Sequence, residues 1–117
     1  MSIKPEYAEK IFSGEKHFEY RKRKCSKSVT SMIIYETSPV KKVVGEASIL
    51  KILQDTPSKI WKLTSTFSGV SEDFFYEYFN NCDLATAYAL GNIERFSCPK
   101  DLSCYGISKA PQSYIYI

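Results

Sequence analysis

The stretch "IKPEYAEKIFSGEKHFEYRKR" (residues 3–23) changes its period halfway along, and that change decides how the chain is read. Pro5 suits the first turn of a helix, where its missing N–H costs nothing. Tyr7, Ala8, Ile11 and Phe12 recur at helical spacing and make one apolar stripe. Gly14 supplies the left-handed residue that commonly ends a helix. From Lys16 onward the pattern alternates. Phe18 and Tyr20 point one way, and His17, Glu19 and Arg21 point the other. A helix handing over to a half-polar strand across a tight corner is expected here.

The remaining pattern extends this start. "VTSMIIYET" (29–37) and "VVGEASILKIL" (43–53) read as strands joined by the turn "SPVKK", and Gly45 marks a bulge or a close backbone approach. "TPSKIWKLTSTFSG" (56–69) reads as a helix with Thr56 as its cap and Pro57 in its first turn. "SEDFFYEYFNN" (71–81) is a second helix, with Ser71 as N-cap and acids in the first turn. "ATAYALGNIERF" (85–96) is a strand that Gly91 breaks or bulges, and "QSYIYI" (112–117) is a last short strand. Helices segregated from mostly antiparallel strands define the α+β class. Short strands and bulging glycines suggest a small, partly closed β-barrel with helices packed at its ends.

With 117 residues the chain is expected to form a single domain over residues 1–117, large enough to bury a core without disulfides. Aromatic residues reach 15%, including nine Tyr and seven Phe, which favours a β-rich fold. The net charge of +3 permits nucleic-acid binding without demanding it. Cys25, Cys82, Cys98 and Cys104 show no metal-ligand spacing and His17 is the sole histidine, so no metal site and no cofactor are expected. Lys4, Glu6, Glu9 and Lys10 interrupt any early apolar run, and no stretch is long enough to span a membrane. The expectation is a cytoplasmic protein with free thiols.

The corner at 14–21 is where chemistry concentrates. Glu19 and Arg21 lie two residues apart on a strand and so share a direction, with Lys16 at the bend able to lean over them. An ammonium, a carboxylate and a guanidinium converging there would hold a phosphate or a polar base edge. The alternative is a solvated ion pair of little energetic consequence. Lys4, just before the helix, adds a second cation or is simply solvated. Lys22, Arg23 and Lys24 either extend a positive surface along a nucleic-acid backbone or solubilise a strand edge. His17 is expected at the surface. Trp61 and the cluster Phe74, Phe75, Tyr76, Tyr78 and Phe79 are read as core, the alternative being base-stacking surfaces.

The run Gly14, Lys16, Glu19 and Arg21 after "IKPEYAEKI" resembles the G-x-K-x-x-E-x-R signature of ASCH domains. The likeness extends through "IIYETSPVKKVVGE", "FSGVSEDFFYEYF" and "APQSYIYI". The resemblance implies a PUA-like β-barrel with a cleft between the first helix and the barrel. It also implies binding of RNA or a nucleotide-like ligand by the signature residues Lys16, Glu19 and Arg21, in a role regulating transcription or translation. By position and charge, Lys4, Arg23 and Glu46 are the further candidate contacts of that cleft. A few small members of the family hydrolyse acylated cytidine with a Lys and a Thr on this strand and a later Glu. Lys16 matches the Lys, Glu19 stands at the Thr position, and Glu46 is the acid suggested by strand order. An amidohydrolase acting on a modified nucleoside through Lys16, Glu19 and Glu46 is therefore the alternative to a binding protein.

Overall fold

Pro5 opens the first helix and Gly14 closes it, and the chain then builds its sheet from both ends. The computed structural model describes residues 2–22 and 30–105. Its elements run β1 (Ser2–Ile3), α1 (Pro5–Ser13), β2 (Phe18–Arg21), β3 (Ser31–Glu36), β4 (Lys42–Asp55), α2 (Pro57–Thr64), α3 (Glu72–Tyr78) and β5 (Ala85–Lys100). Gly14 takes φ 87°, a conformation that costs a residue with a Cβ, and its N–H bonds the carbonyl of Ile11. Ser71 caps α3 by accepting from the N–H of Phe74 at 3.1 Å. Thr56 flanks α2 without a side-chain cap bond. The helix expected over 56–69 ends early at Thr64, and Ser65–Phe67 tighten into a 3₁₀ turn. The weak helix formers Thr64, Ser65 and Thr66 account for that stop.

The sheet has five strands in the order β1-β3-β4-β5-β2 among the described residues. Only β1 runs parallel to its neighbour β3; the other pairs are antiparallel. α1 packs Ala8 and Ile11 onto Met32, Ile34, Val44, Ala47, Tyr88 and Leu90. Ile60 of α2, Phe75 of α3 and Phe79 at the end of α3 pack onto Tyr20, Ala85 and Ala87. Ile33, Tyr35 and Val43 form a third cluster with Phe96. β3 is thus buried on both faces, which is why it reads as a continuous apolar run. Gly45 is needed for close approach: a Cβ there would lie 2.3 Å from the Glu94 carbonyl oxygen. The pairing register of β4 shifts beside it, as expected of a bulge. Gly91 does not break β5, which continues through it while the register on β4 slips instead.

The expected barrel is corrected to a curled, open sheet. β1 and β2 are its two edges, and no backbone ladder joins them. β1 is only two residues long, too short to close a barrel by strand pairing. A side chain crosses the gap instead, with Arg21 Nη2 on β2 donating to the carbonyl of Ser2 on β1 at 3.1 Å. The seam left between these edges is where the cleft lies. Arg23, Lys24, Cys25 and the last strand expected at 112–117 fall outside the described residues. No helix among the described residues is long and apolar enough to cross a membrane.

Candidate functional site

The corner after α1 turns Lys16 inward. Its N–H bonds the Lys10 carbonyl at 3.0 Å. The next residue, His17, is pinned on both sides, donating to the Phe67 carbonyl at 2.8 Å and accepting from Leu90 N–H at 2.9 Å. The Lys16 side chain consequently runs beneath the 68–69 loop and is 2% exposed. Its Nζ donates to the Ser68 carbonyl at 2.8 Å and lies 4.8 Å from the Tyr20 ring and 5.8 Å from the Tyr7 ring. Two aromatic faces and one carbonyl thus compensate a buried cation. An ammonium has three N–H donors, so two remain beyond the Ser68 bond. Gly69 makes this burial possible: at φ +69°, a Cβ would sit 2.6 Å from Lys16 Cβ. Burial holds the Lys16 pKa below its ordinary 10.5, with the Glu19 carboxylate opposing and Arg21 and Lys10 adding to the depression.

Glu19 and Arg21 are not a solvated pair. Arg21 Nη1 meets Glu19 Oε1 at 2.7 Å with the two side chains 14% and 10% exposed. The same Nη1 donates to the Tyr20 carbonyl at 2.7 Å. The guanidinium is therefore spent largely on protein acceptors, which makes it a brace more than a free cation. Glu19 Oε2 is buried and has no hydrogen-bond partner. Tyr20 has its hydroxyl 2.7 Å from Thr64 Oγ1. Because Thr64 Oγ1 donates to the Ile60 carbonyl, Tyr20 is the donor of that pair. Burial pushes the Tyr20 phenol up to about 12. Burial also raises Tyr7 and Tyr78, with Arg21 pulling Tyr78 back down.

These groups line one cleft of about 260 Å³ at the seam. Lys4, Lys16, Glu19 and Arg21 all line it. Glu46 does not. It sits on β4, the central strand of the five, opposite Ile33 and Glu94 and remote from either edge. His17 is exposed, as expected, and stacks on Phe67 with ring centroids 4.1 Å apart. Of the aromatics on and just after α3, Phe75 and Phe79 are buried in the core, Phe75 also bordering the cleft, while the more exposed Phe74 and Tyr78 join Tyr7 on the cleft wall. The aromatic wall was legible only as two separate stripes at i, i+4 on α3; nothing local says which stripe faces the cleft. Among the described residues no group of His, Cys, Asp and Glu is placed to hold a metal ion.

The fold is thus an α+β domain whose open, curled sheet carries a charged, aromatic cleft at its seam, between α1, α3 and the two sheet edges. The chain belongs to the ASCH domain family, whose model matches residues 1–94. It is similar to the crystal structure of ASCH from Zymomonas mobilis, with TM-score 0.89 and 29% identity, covering 100% of this chain and 85% of that one. It is 35% identical over 91 residues to the ASCH domain-containing ribonuclease of Zymomonas mobilis, covering 77% of this chain and 62% of that protein. It is also 32% identical over 118 residues to a Ureaplasma parvum protein named ATP synthase subunit alpha, covering 100% of this chain but 15% of that protein. The chain thus spans less than two thirds of the length of both curated relatives.

Proposed function

We propose that this chain binds single-stranded RNA, with one nucleotide of the strand entering the seam cleft. The observation that carries the reading is Lys16, a cation buried to 2% exposure at the cleft with N–H donors to spare. A protein does not bury an ammonium cheaply, and a phosphate or base acceptor is what such a donor suits. Tyr7, Phe74 and Tyr78 offer ring faces on which a base stacks regardless of its identity. Single strands suit this entrance because their bases are free to splay into a cavity, whereas a duplex keeps them stacked. Lys4 and Lys22, both exposed, would meet the flanking phosphates. The name of the Zymomonas relative, a ribonuclease, supports RNA as the polymer. Whether the protein regulates transcription or translation follows from which RNA it binds. The test is titration of labelled single-stranded and duplex RNA at two salt concentrations, with Lys16→Met and Phe74→Ala in parallel. Salt-sensitive binding of the single strand, weakened in both variants, is expected. Equal binding by wild type and both variants overturns the reading.

RNA cleavage at the same cleft is a second reading, favoured by the depressed pKa of Lys16. A neutral Lys16 amine would take the proton of a ribose 2′-hydroxyl. The 2′-oxygen then bonds to the adjacent phosphorus as the P–O5′ bond breaks. The departing 5′-oxygen gains a proton from solvent, leaving a 2′,3′-cyclic phosphate. Incubation of RNA carrying one 2′-deoxy substitution tests it, since cleavage must stop at that position and in Lys16→Met. The amide-hydrolysis alternative has less support: Glu19 is held by Arg21, and Glu46 lies on the central strand.

A further inference from the structure

Among the described residues, Glu19 Oε2 is a buried side-chain oxygen without a hydrogen-bond partner. The residue is 8% exposed and borders the cleft. Its other oxygen, Oε1, is held by Arg21 Nη1 at 2.7 Å. The same guanidinium is also engaged by the Tyr20 carbonyl at 2.7 Å and the Ser2 carbonyl at 3.1 Å. A buried carboxylate oxygen without a partner carries a desolvation cost, and a donor arriving with a ligand removes it.

A carboxylate oxygen offers lone pairs and nothing else. A phosphate oxygen does the same and carries the same sign of charge. A phosphate set against Oε2 therefore meets repulsion and makes no hydrogen bond. What a nucleotide can bring there is a neutral donor: an N–H on the edge of its base or the 2′-hydroxyl of its ribose. Carboxylates accept from both kinds of group. Cations suited to phosphates stand elsewhere on the cleft. Lys4 lines it and is exposed. Lys22 is exposed too, with its Nζ 5.1 Å from the ring of Tyr78 on the cleft wall. We infer that the group of the nucleotide seated against Glu19 is a neutral N–H or O–H donor, and that no phosphate contacts this residue. This inference rests on the RNA-binding reading of the same cleft.

Short uridine oligomers test it, because away from the chain ends a uridine carries only two donors, the ring N3–H and the 2′-hydroxyl. The wild-type protein is titrated with oligouridine, its 2′-deoxy form, its N3-methyl form and the form with both changes. Removing the donor that meets Glu19 is expected to weaken binding roughly tenfold or more, the scale of one hydrogen bond to a charged group. The oligomer that suffers the loss tells base from ribose. Glu19→Gln is isosteric and must turn its amide oxygen to Arg21, which leaves an N–H2 where the acceptor was. It is expected to abolish the loss, whereas a mere clash with the added methyl would persist. Its thermal midpoint reports whether it folds, and the wild-type series decides without it. Equal binding of all the oligomers overturns the donor inference and leaves RNA binding standing. So does a loss that a folded Glu19→Gln retains, or tighter binding of every oligomer by that variant, which would place a phosphate at Glu19. No binding of any oligomer overturns both readings.

Discussion

Arg21 on β2 reaches the main-chain carbonyl of Ser2 on β1 at 3.1 Å, so one side chain ties together the two edges of the sheet. The same guanidinium holds Glu19 Oε1 at 2.7 Å and the Tyr20 carbonyl at 2.7 Å. A planar fork of donors does this; a single ammonium cannot. Arg21→Lys is therefore expected to behave nearly like Arg21→Met. Each should cost about 2–3 kcal/mol, the range for breaking a largely buried, hydrogen-bonded charge pair. Urea denaturation checks it, and a lysine variant as stable as wild type would rule out the brace.

Lys16 makes stability depend on pH in a defined direction. Its folded pKa lies below the ordinary 10.5, so between the two values the unfolded chain binds a proton that the folded chain has released. Stability rises with pH through that window, and the contribution is lost as pH falls through the folded pKa. Wild type should therefore gain on Lys16→Met between about pH 7 and about pH 10. Denaturation midpoints of the two proteins at both pH values measure this; a constant difference would mean that Lys16 titrates as an ordinary surface lysine.

Tyr20 works in the opposite sense. Its folded pKa of about 12 exceeds the ordinary 10.0, so its stabilising contribution is complete below 10.0 and is lost as pH climbs towards 12. Tyr20→Phe should lose about 1 kcal/mol at neutral pH, with the Thr64 hydroxyl left without its donor. It should also lack this part of the alkaline decline. An alkaline unfolding profile for the variant matching wild type would count against the assignment.

Gly69 is a steric requirement for the burial of Lys16. Alanine there meets both a left-handed backbone at φ +69° and the Lys16 stem at 2.6 Å. The two effects together predict a loss of about 2–4 kcal/mol. They also predict faster labelling of Lys16 by an amine reagent, because the displaced loop uncovers it. Unchanged labelling in Gly69→Ala would show that the loop does not seat the lysine.

Phe74 separates the cleft from the core. It is 39% exposed while its neighbour Phe75 is 1% exposed. Phe74→Ala should cost under about 1 kcal/mol, and Phe75→Ala about 3–5 kcal/mol. RNA affinity should fall in the first variant at nearly unchanged thermal midpoint. A large loss of stability in Phe74→Ala would place that ring in the core instead.

What could be read along the chain was whatever depends on near neighbours. Gly14 ends α1, Ser71 caps α3, and Gly45 admits a close backbone approach, because each of these needs only the local backbone. Glu19 and Arg21 share a direction because side chains on a strand repeat every two residues, and Lys16 falls at the bend because the helix stops two residues earlier. The same periodicity separated Phe74 and Tyr78 from Phe75 and Phe79 but not that both of the first pair, and only Phe75 of the second, border the cleft. Tertiary structure decided that, along with the burial of the Glu19–Arg21 pair, the exile of Glu46 to the central strand and the open seam itself. Each depends on which strands become edges and how far the sheet curls. Those are settled by pairings between residues distant in the chain, such as Arg21 with Ser2 and Lys16 with Ser68, and no local period encodes them.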